Sequence, residues 1–160
     1  MVALTEAQIW KILDQVKDPE IPPVSLVEMG MIRQVCVEGD KIEVELIPTF
    51  LGCPAIQFMQ AEIESRLTEA GAAKVEVEIS LTSWTSDRIS ANGRQKLKEF
   101  GLAPPPYHQG ELEIALSAPV SCPNCDSYRV ALKNSFGPTL CGAIYYCNNC
   151  QQPFERFKPL

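Results

Sequence analysis

The sequence holds one histidine, His108, two tryptophans and few aromatic residues, 8% of 160. A single histidine leaves little imidazole for general-base work or metal ligation. No run of Lys and Arg occurs and the formal charge is −6, so a nucleic-acid partner is not expected, because phosphate binding needs clustered cations. No apolar stretch approaches the ~18 residues that span a bilayer. Residues 1–10 lack the basic and apolar regions of a secretion signal, which leads us to expect a soluble cytoplasmic protein without membrane contact. Internal repeats and low-complexity segments are absent. What is present suits a globular chain: 46% hydrophobic and 21% charged residues, enough for a domain plus a small appended module.

Seven cysteines stand out in this composition, five of them in the last 39 residues. Cys122-Pro123-Asn124-Cys125 and Cys147-Asn148-Asn149-Cys150 form two C-x-x-C pairs separated by 21 residues. In a reducing compartment that pattern reads as metal ligation rather than disulfide bonding. Four thiolates from two tight turns suit the tetrahedral preference of Zn²⁺, so one structural zinc on Cys122, Cys125, Cys147 and Cys150 is expected. An iron–sulfur cluster on the same four sulfurs stays open, because spacing does not distinguish the two. Cys141 reads as core with ligand substitution as the alternative, and Cys36 reads as a buried inert thiol. Phe136, Tyr145, Tyr146, Phe154 and Phe157 read as the small core of this module, with a partner surface formed by an exposed subset as the alternative.

The preceding chain has the pattern of a small α/β domain. Thr5-Glu6-Ala7-Gln8 has capping-box form, and Ile9, Leu13 and Val16 share one helical face, which predicts a helix over 5–17 ending at Asp18-Pro19. Ile42, Val44 and Leu46 alternate with glutamates, and a hairpin turns at Gly39-Asp40 between strands 31–38 and 41–47. Ile56, Met59, Ile63, Leu67 and Ala70 make the apolar stripe of a second helix. A third strand over 74–81 would then pair in parallel with the second through a crossover. The expected core is an α/β (α+β) domain over 5–82: a mixed three-stranded sheet with helices on one face. An extra helix over 86–100, capped by Ser86 or Asp87, completes a first domain of 1–101. The proline-rich segment 102–110 reads as a linker, with His108 as a solvated loop residue, and 111–160 as the zinc-ribbon-like module.

Cys53 lies where the second strand meets the second helix, in Pro48-Thr49-Phe50-Leu51-Gly52-Cys53-Pro54. With Pro54 as the first helical residue, the thiol would face the free N–H groups and positive dipole of a helix N-terminus, which favour a thiolate. No Lys, Arg or His lies between Ile42 and Glu64 to assist it. On spacing alone, a reactive cysteine and a capping or core cysteine stay equally open. The stiff connector Asp18-Pro19-Glu20-Ile21-Pro22-Pro23 is either a rigid turn or a device that holds Asp18 and Glu20 near Cys53.

Asp18-Pro19-Glu20-Ile21-Pro22, the hairpin, and Thr49-x-x-x-Cys53-Pro54 resemble the small α/β family of iron–sulfur cluster assembly factors that includes the SufT-like proteins. Ser86-Asp87-Arg88-Ile89, Gly93-Arg94, Lys96-Leu97, residues 101–105, the paired C-x-x-C turns and the ending Pro153–Pro159 resemble the PaaD (PaaJ) family, accessory proteins encoded with the multicomponent phenylacetyl-CoA epoxidase. That second resemblance spans nearly the whole chain. It implies an accessory protein, not an enzyme, that matures an iron–sulfur or diiron centre. Cys53 would be the reactive or cluster-contacting thiol, with Thr49, Asp18 and Glu20 around it. It further implies a transient iron or iron–sulfur cargo, and as partners the oxygenase or iron–sulfur flavin reductase subunits of the epoxidase, or general iron–sulfur assembly machinery. The alternative is a non-catalytic docking subunit of the oxygenase complex. A thiol enzyme is a minor reading, since Cys53 has no base in its own segment.

Overall fold

The computed structural model describes residues 4–160; residues 1–3, part of the amino-terminal stretch read for a secretion signal, lie outside them. The chain folds as two compact units, the first ending at Trp84 and the second spanning Thr85–Leu160.

In the first unit, helix α1 (Glu6–Leu13) starts with the expected capping box: Thr5 Oγ1 accepts from Gln8 N–H, and Gln8 Oε1 accepts from Thr5 N–H. It stops sooner than the periodicity suggests. Residues 16–18 pair with 24–26 instead, through Leu26 N–H to the Val16 carbonyl and Asp18 N–H to the Val24 carbonyl. Val16 is still buried, so its apolar phase was right while its backbone was not helical.

Strands β1 (Ile32–Glu38) and β2 (Lys41–Leu46) form an antiparallel hairpin closed at Gly39, whose φ of 61° no β-branched residue would accept. Helix α2 (Ile56–Glu69) then leads to β3 (Lys74–Ile79), which pairs in parallel with β2. The sheet is therefore mixed, in the order β1-β2-β3. Ile42, Val44 and Leu46 of β2 and Met59, Ile63 and Leu67 of α2 are buried as periodicity predicts, whereas Ile56, at the first turn of α2, is half-buried and Ala70, its C-terminal cap, is exposed. Leu81 falls outside β3 and is 93% exposed, because the strand ends at Ile79. Cys36 is half-buried rather than buried: it sits in β1 beside Gln34, whose amide donates to its sulfur at 3.1 Å. Trp84 closes the unit, with Nε1–H donating to the Met29 carbonyl at 2.8 Å.

The second unit begins with a 3-10 turn (Ser86–Arg88), followed by α3 (Ala91–Phe100). Ser90, not Ser86 or Asp87, caps α3, accepting from Gly93 N–H at 2.9 Å. The Asp87 carboxylate instead accepts from His108 N–H and Gln109 N–H, at 2.9 and 2.7 Å. The proline-rich segment is built into this unit. Within it, β4 (Leu102–Ala103) pairs in parallel with β7 (Pro153–Phe157), and Arg94 lies 3.7 Å from the centre of the Tyr107 ring. His108 is buried and bonded at both ring nitrogens: Nδ1 accepts from Gly110 N–H and Nε2 contacts the Leu160 carbonyl at 3.0 Å. The structure thus divides the chain before residue 86, and places 86–110 with the carboxy-terminal fold. Proline composition describes local stiffness and carries no information on what the segment packs against.

A short helix α4 (Leu112–Ser117) precedes β5 (Val130–Asn134) and β6 (Gly142–Cys147), and the sheet order is β4-β7-β6-β5. Its core joins Ala103, Cys122, Cys147 and Phe154, with Tyr145 stacked on Phe154 at 5.7 Å. Phe157 is fully buried, but Phe136 is 69% exposed and is not part of the core.

Candidate metal centre and thiol site

The two C-x-x-C turns are built alike. Cys122 N–H bonds to the Ser127 carbonyl and Asp126 N–H to the Cys122 carbonyl; Cys147 N–H bonds to the Gln152 carbonyl and Gln151 N–H to the Cys147 carbonyl. Each turn is completed by a residue of positive φ, Asp126 at 58° and Gln151 at 59°. Left-handed residues other than glycine are costly, and the repeated geometry brings the paired cysteines of each turn to one point.

All four sulfurs lie within 4.8 Å of one another. Cys122 Sγ is 3.7 Å from Cys150 Sγ, and Cys125 Sγ is 3.6 Å from Cys147 Sγ. A tetrahedral ion with metal–sulfur bonds of ~2.3 Å needs sulfurs ~3.8 Å apart, so the donor set fits a four-thiolate metal. The seven cysteines are all free thiols. The thiols differ when no cation is present. Cys125 is lowered to about 6 by the Ser127 N–H and the Asn149 amide that reach its sulfur, whereas Cys150 is pushed up to about 12 by burial and by its cysteine neighbours. A cation at the centre is what lets all four ionise together. Cys141 lies outside this group, in contact with Thr139 Oγ1 at 3.2 Å.

Cys53 presents a different environment in the first unit. Helix α2 begins at Ile56 with Ala55 as its cap, so Pro54 is not its first helical residue and Cys53 stands in the turn before it. Cys53 N–H bonds to the Phe50 carbonyl and Ile56 N–H to the Cys53 carbonyl, at 3.0 and 3.3 Å. The half-buried thiol receives hydrogen bonds from the backbone N–H groups of Ala55 and Ile56, as a helix start would supply. Burial outweighs them, and the charges of Glu20 and Asp18 add to it, so the pKa is raised and the expected thiolate is disfavoured.

Asp18 is fixed by an Asx turn: Oδ1 accepts from Glu20 N–H at 2.8 Å and Ile21 N–H at 3.1 Å. Burial raises its pKa against those bonds, and burial plus the Asp18 charge raise that of Glu20. Thr49 is half-buried in the bend that follows β2. The structure therefore brings both carboxylates into electrostatic range of Cys53. It does not gather them into a preformed metal cage, since the four C-terminal sulfurs are the single metal-ligating group among the described residues. Sequence reading missed the exposed apolar residues on either side of Cys53 in the chain: Phe50 and Leu51 in its turn and Phe58 on α2 are 46%, 73% and 56% exposed. Their signal was available, since Phe58 lies off the apolar stripe of α2. Replacing Glu20 by Gln removes the larger of the two charges acting on Cys53. Its alkylation by iodoacetamide near neutral pH is expected to quicken about twofold, with the pH profile moved to lower pH. An unchanged or slower profile contradicts this electrostatic account.

No helix among the described residues is long and apolar enough to cross a membrane. The profile of the iron–sulfur cluster assembly protein family matches residues 6–80, and that of the PaaD zinc beta ribbon domain matches residues 108–158. A protein from Escherichia coli K12 described as a putative subunit of 1,2-phenylacetyl-CoA epoxidase is 36% identical over 152 residues, covering 94% of this chain and 91% of that protein. An iron–sulfur cluster carrier protein from Synechocystis is 35% identical over 95 residues, 59% of this chain but only 26% of its own length. Two solved structures share the fold. A DUF59 domain from Bacillus anthracis has a TM-score of 0.54 at 22% identity, covering 57% of this chain and 90% of that one. A conserved hypothetical protein from Thermotoga maritima has a TM-score of 0.51 at 24% identity, covering 59% and 94%.

Proposed function

The chain belongs to the PaaD family, that of the putative 1,2-phenylacetyl-CoA epoxidase subunit from Escherichia coli, and from that premise we propose that it is an accessory protein that matures an iron–sulfur or diiron centre of such an epoxidase through Cys53. The observation that carries the reading is the setting of Cys53. In a unit of iron–sulfur-assembly type, a thiol hydrogen-bonded by two backbone N–H groups shares its turn with exposed Phe50 and Leu51, in range of the Asp18 and Glu20 carboxylates. A soft sulfur with hard oxygen donors nearby suits brief custody of iron, and a raised pKa suits release more than permanent ligation. Thr49 lies in the same turn, and the four C-terminal thiolates would hold one structural zinc that carries no part of the transfer. The partners on this reading are the oxygenase or reductase subunit whose centre is being filled, with iron or its cluster as cargo. An absence of catalysis on the phenylacetyl-CoA substrate is part of the proposal.

The test is Cys53→Ser expressed in place of the wild-type chain. Epoxidase activity in those cells is expected to fall to the level seen without the protein. Full activity would refute a role for Cys53.

A second reading, a docking subunit without a metal-transfer step, is favoured by the exposed residues of the ribbon: Tyr128, Leu132, Phe136 and Leu140 are each more than half exposed. It requires that Cys53→Ser be silent, which the same experiment decides.

A further inference from the structure

Arg156 places a buried charge in the second unit. Its side chain rises from β7, the residue is 5% exposed, and guanidinium does not deprotonate in proteins. Nη2 donates to the Ala115 carbonyl at 3.1 Å, and Nη1 makes a long contact of 3.5 Å with the Tyr145 hydroxyl. No carboxylate among the described residues forms an ion pair with it. A buried cation held by neutral acceptors alone is costly, because its attraction to a counter-charge is what offsets the loss of water. Nε makes no hydrogen bond, and since no sealed side-chain nitrogen among the described residues lacks a partner, it stays accessible.

Arg156 lines a cavity of about 130 Å³, together with Lys98, Ser121, Pro104, Pro106 and Pro119. The proline rings offer apolar surface and no N–H groups. The polar residues on the wall, Arg156, Ser121 and Lys98, all carry donors, and the Lys98 ammonium, which already bonds Asp126 at 2.6 Å, retains further N–H bonds. The cavity is well below the roughly 300–1,000 Å³ of sites that hold cofactors or drug-sized ligands. One planar oxyanion and a short apolar stem are what its size and lining accept.

We propose that this cavity is a carboxylate-binding site in which the Arg156 guanidinium grips the carboxylate, Ser121 and Lys98 assist at the rim, and the prolines receive the adjoining methylene groups. A guanidinium fork matches the two oxygens of a carboxylate. The site depends on the second unit alone and stands whether or not Cys53 transfers metal. Two sources share this chemistry: a free short-chain carboxylic acid and the carboxylate of a partner's peptide segment.

The test is a titration of the ¹⁵N-labelled, metal-loaded full chain with propionate and, separately, with its neutral isostere propionamide. Saturable shifts at the Ala103, Val120 and Ser121 amides and at Arg156 Nε are expected with propionate and not with propionamide. Arg156→Lys, which keeps the charge and loses the fork, is expected to weaken propionate by about tenfold. Ser121→Leu fills the cavity without touching the guanidinium and is expected to abolish the shifts, so the proposal remains testable if the arginine variant misfolds. A short peptide with a free terminal carboxylate that binds more tightly than its amidated form, and more tightly than propionate, assigns the site to a partner segment. Equal affinity for peptide and propionate assigns it to a small acid. Equal shifts with propionate and propionamide, or no saturable shift with either, would overturn it, as would inorganic phosphate binding in preference to propionate.

Discussion

Replacing Cys147 by Ser is expected to unfold the second unit and leave the first intact. Cys147 is fully buried and its sulfur lies 3.6 Å from that of Cys125, at the centre of the cluster that doubles as the core of the unit. Structural zinc contributes about 10–16 kcal/mol of binding free energy in small zinc-finger peptides, which matches or exceeds the roughly 5–15 kcal/mol that keeps a domain folded. Losing one of four ligands removes most of that. In an amide correlation spectrum, the resonances of β5, β6 and β7 should collapse toward random-coil positions while those of β1, β2 and β3 stay in place. Chelation should act in the same way. It should succeed more easily as pH falls, because protons compete for the ligand sulfurs and Cys150 holds its proton up to about 12 when no metal is bound. A Cys147→Ser protein with full metal content and an unchanged spectrum would defeat this account of the module.

The second large effect belongs to Trp84. Its ring is 5% exposed, and its Nε1–H reaches back across 55 residues to the Met29 carbonyl at 2.8 Å. Met29 is itself fully buried, in the loop between α1 and β1 that also contains Ser25 and the buried Glu28. Truncation to Ala removes a large buried ring and leaves that carbonyl without its donor. A loss of about 3–5 kcal/mol is expected for the first unit, read by urea unfolding of the metal-loaded protein. Trp84→Phe keeps most of the ring and should lose about 1–3 kcal/mol, chiefly the unsatisfied carbonyl. A loss below about 1 kcal/mol in the Ala variant would show that the indole is not part of the core.

The sheet of the first unit was legible because its signal is local. Ile42, Val44 and Leu46 alternate, Gly39 turns the hairpin, and Met59, Ile63 and Leu67 mark one face of α2. The four metal-ligating cysteines were legible because each pair occupies one tight turn. What failed to show has a common physical cause, in that it depends on partners remote in sequence. β4 is two residues long and exists because β7 lies beside it. The burial of His108 rests on Leu160 and Gly110, and the anchoring of its segment on Asp87. The expectation of a thiolate at Cys53 rested on the dipole of a helix thought to begin at Pro54. The helix begins at Ile56, and carboxylates from more than 30 residues upstream oppose ionisation. No spacing rule reports a charge that arrives from another loop.

These differences sharpen the functional question. A raised pKa disfavours Cys53 as a nucleophile at neutral pH, which agrees with the lack of a base in its own segment; it equally weakens permanent metal ligation, so the proposed role is confined to transient custody. Epoxidase activity in cells reports maturation only through turnover, whereas the metal content of the client reads it directly.

The decisive measurement is therefore the iron content of the client protein, purified anaerobically after co-expression with the wild-type chain, with Cys53→Ser, or with neither. Full iron is expected with the wild type, and the same depleted level with the variant as with no chain at all. The wild-type and Cys53→Ser proteins are both expected to carry one zinc per chain. Equal iron in the client under all three conditions would contradict a role in maturation and leave the chain as a docking component.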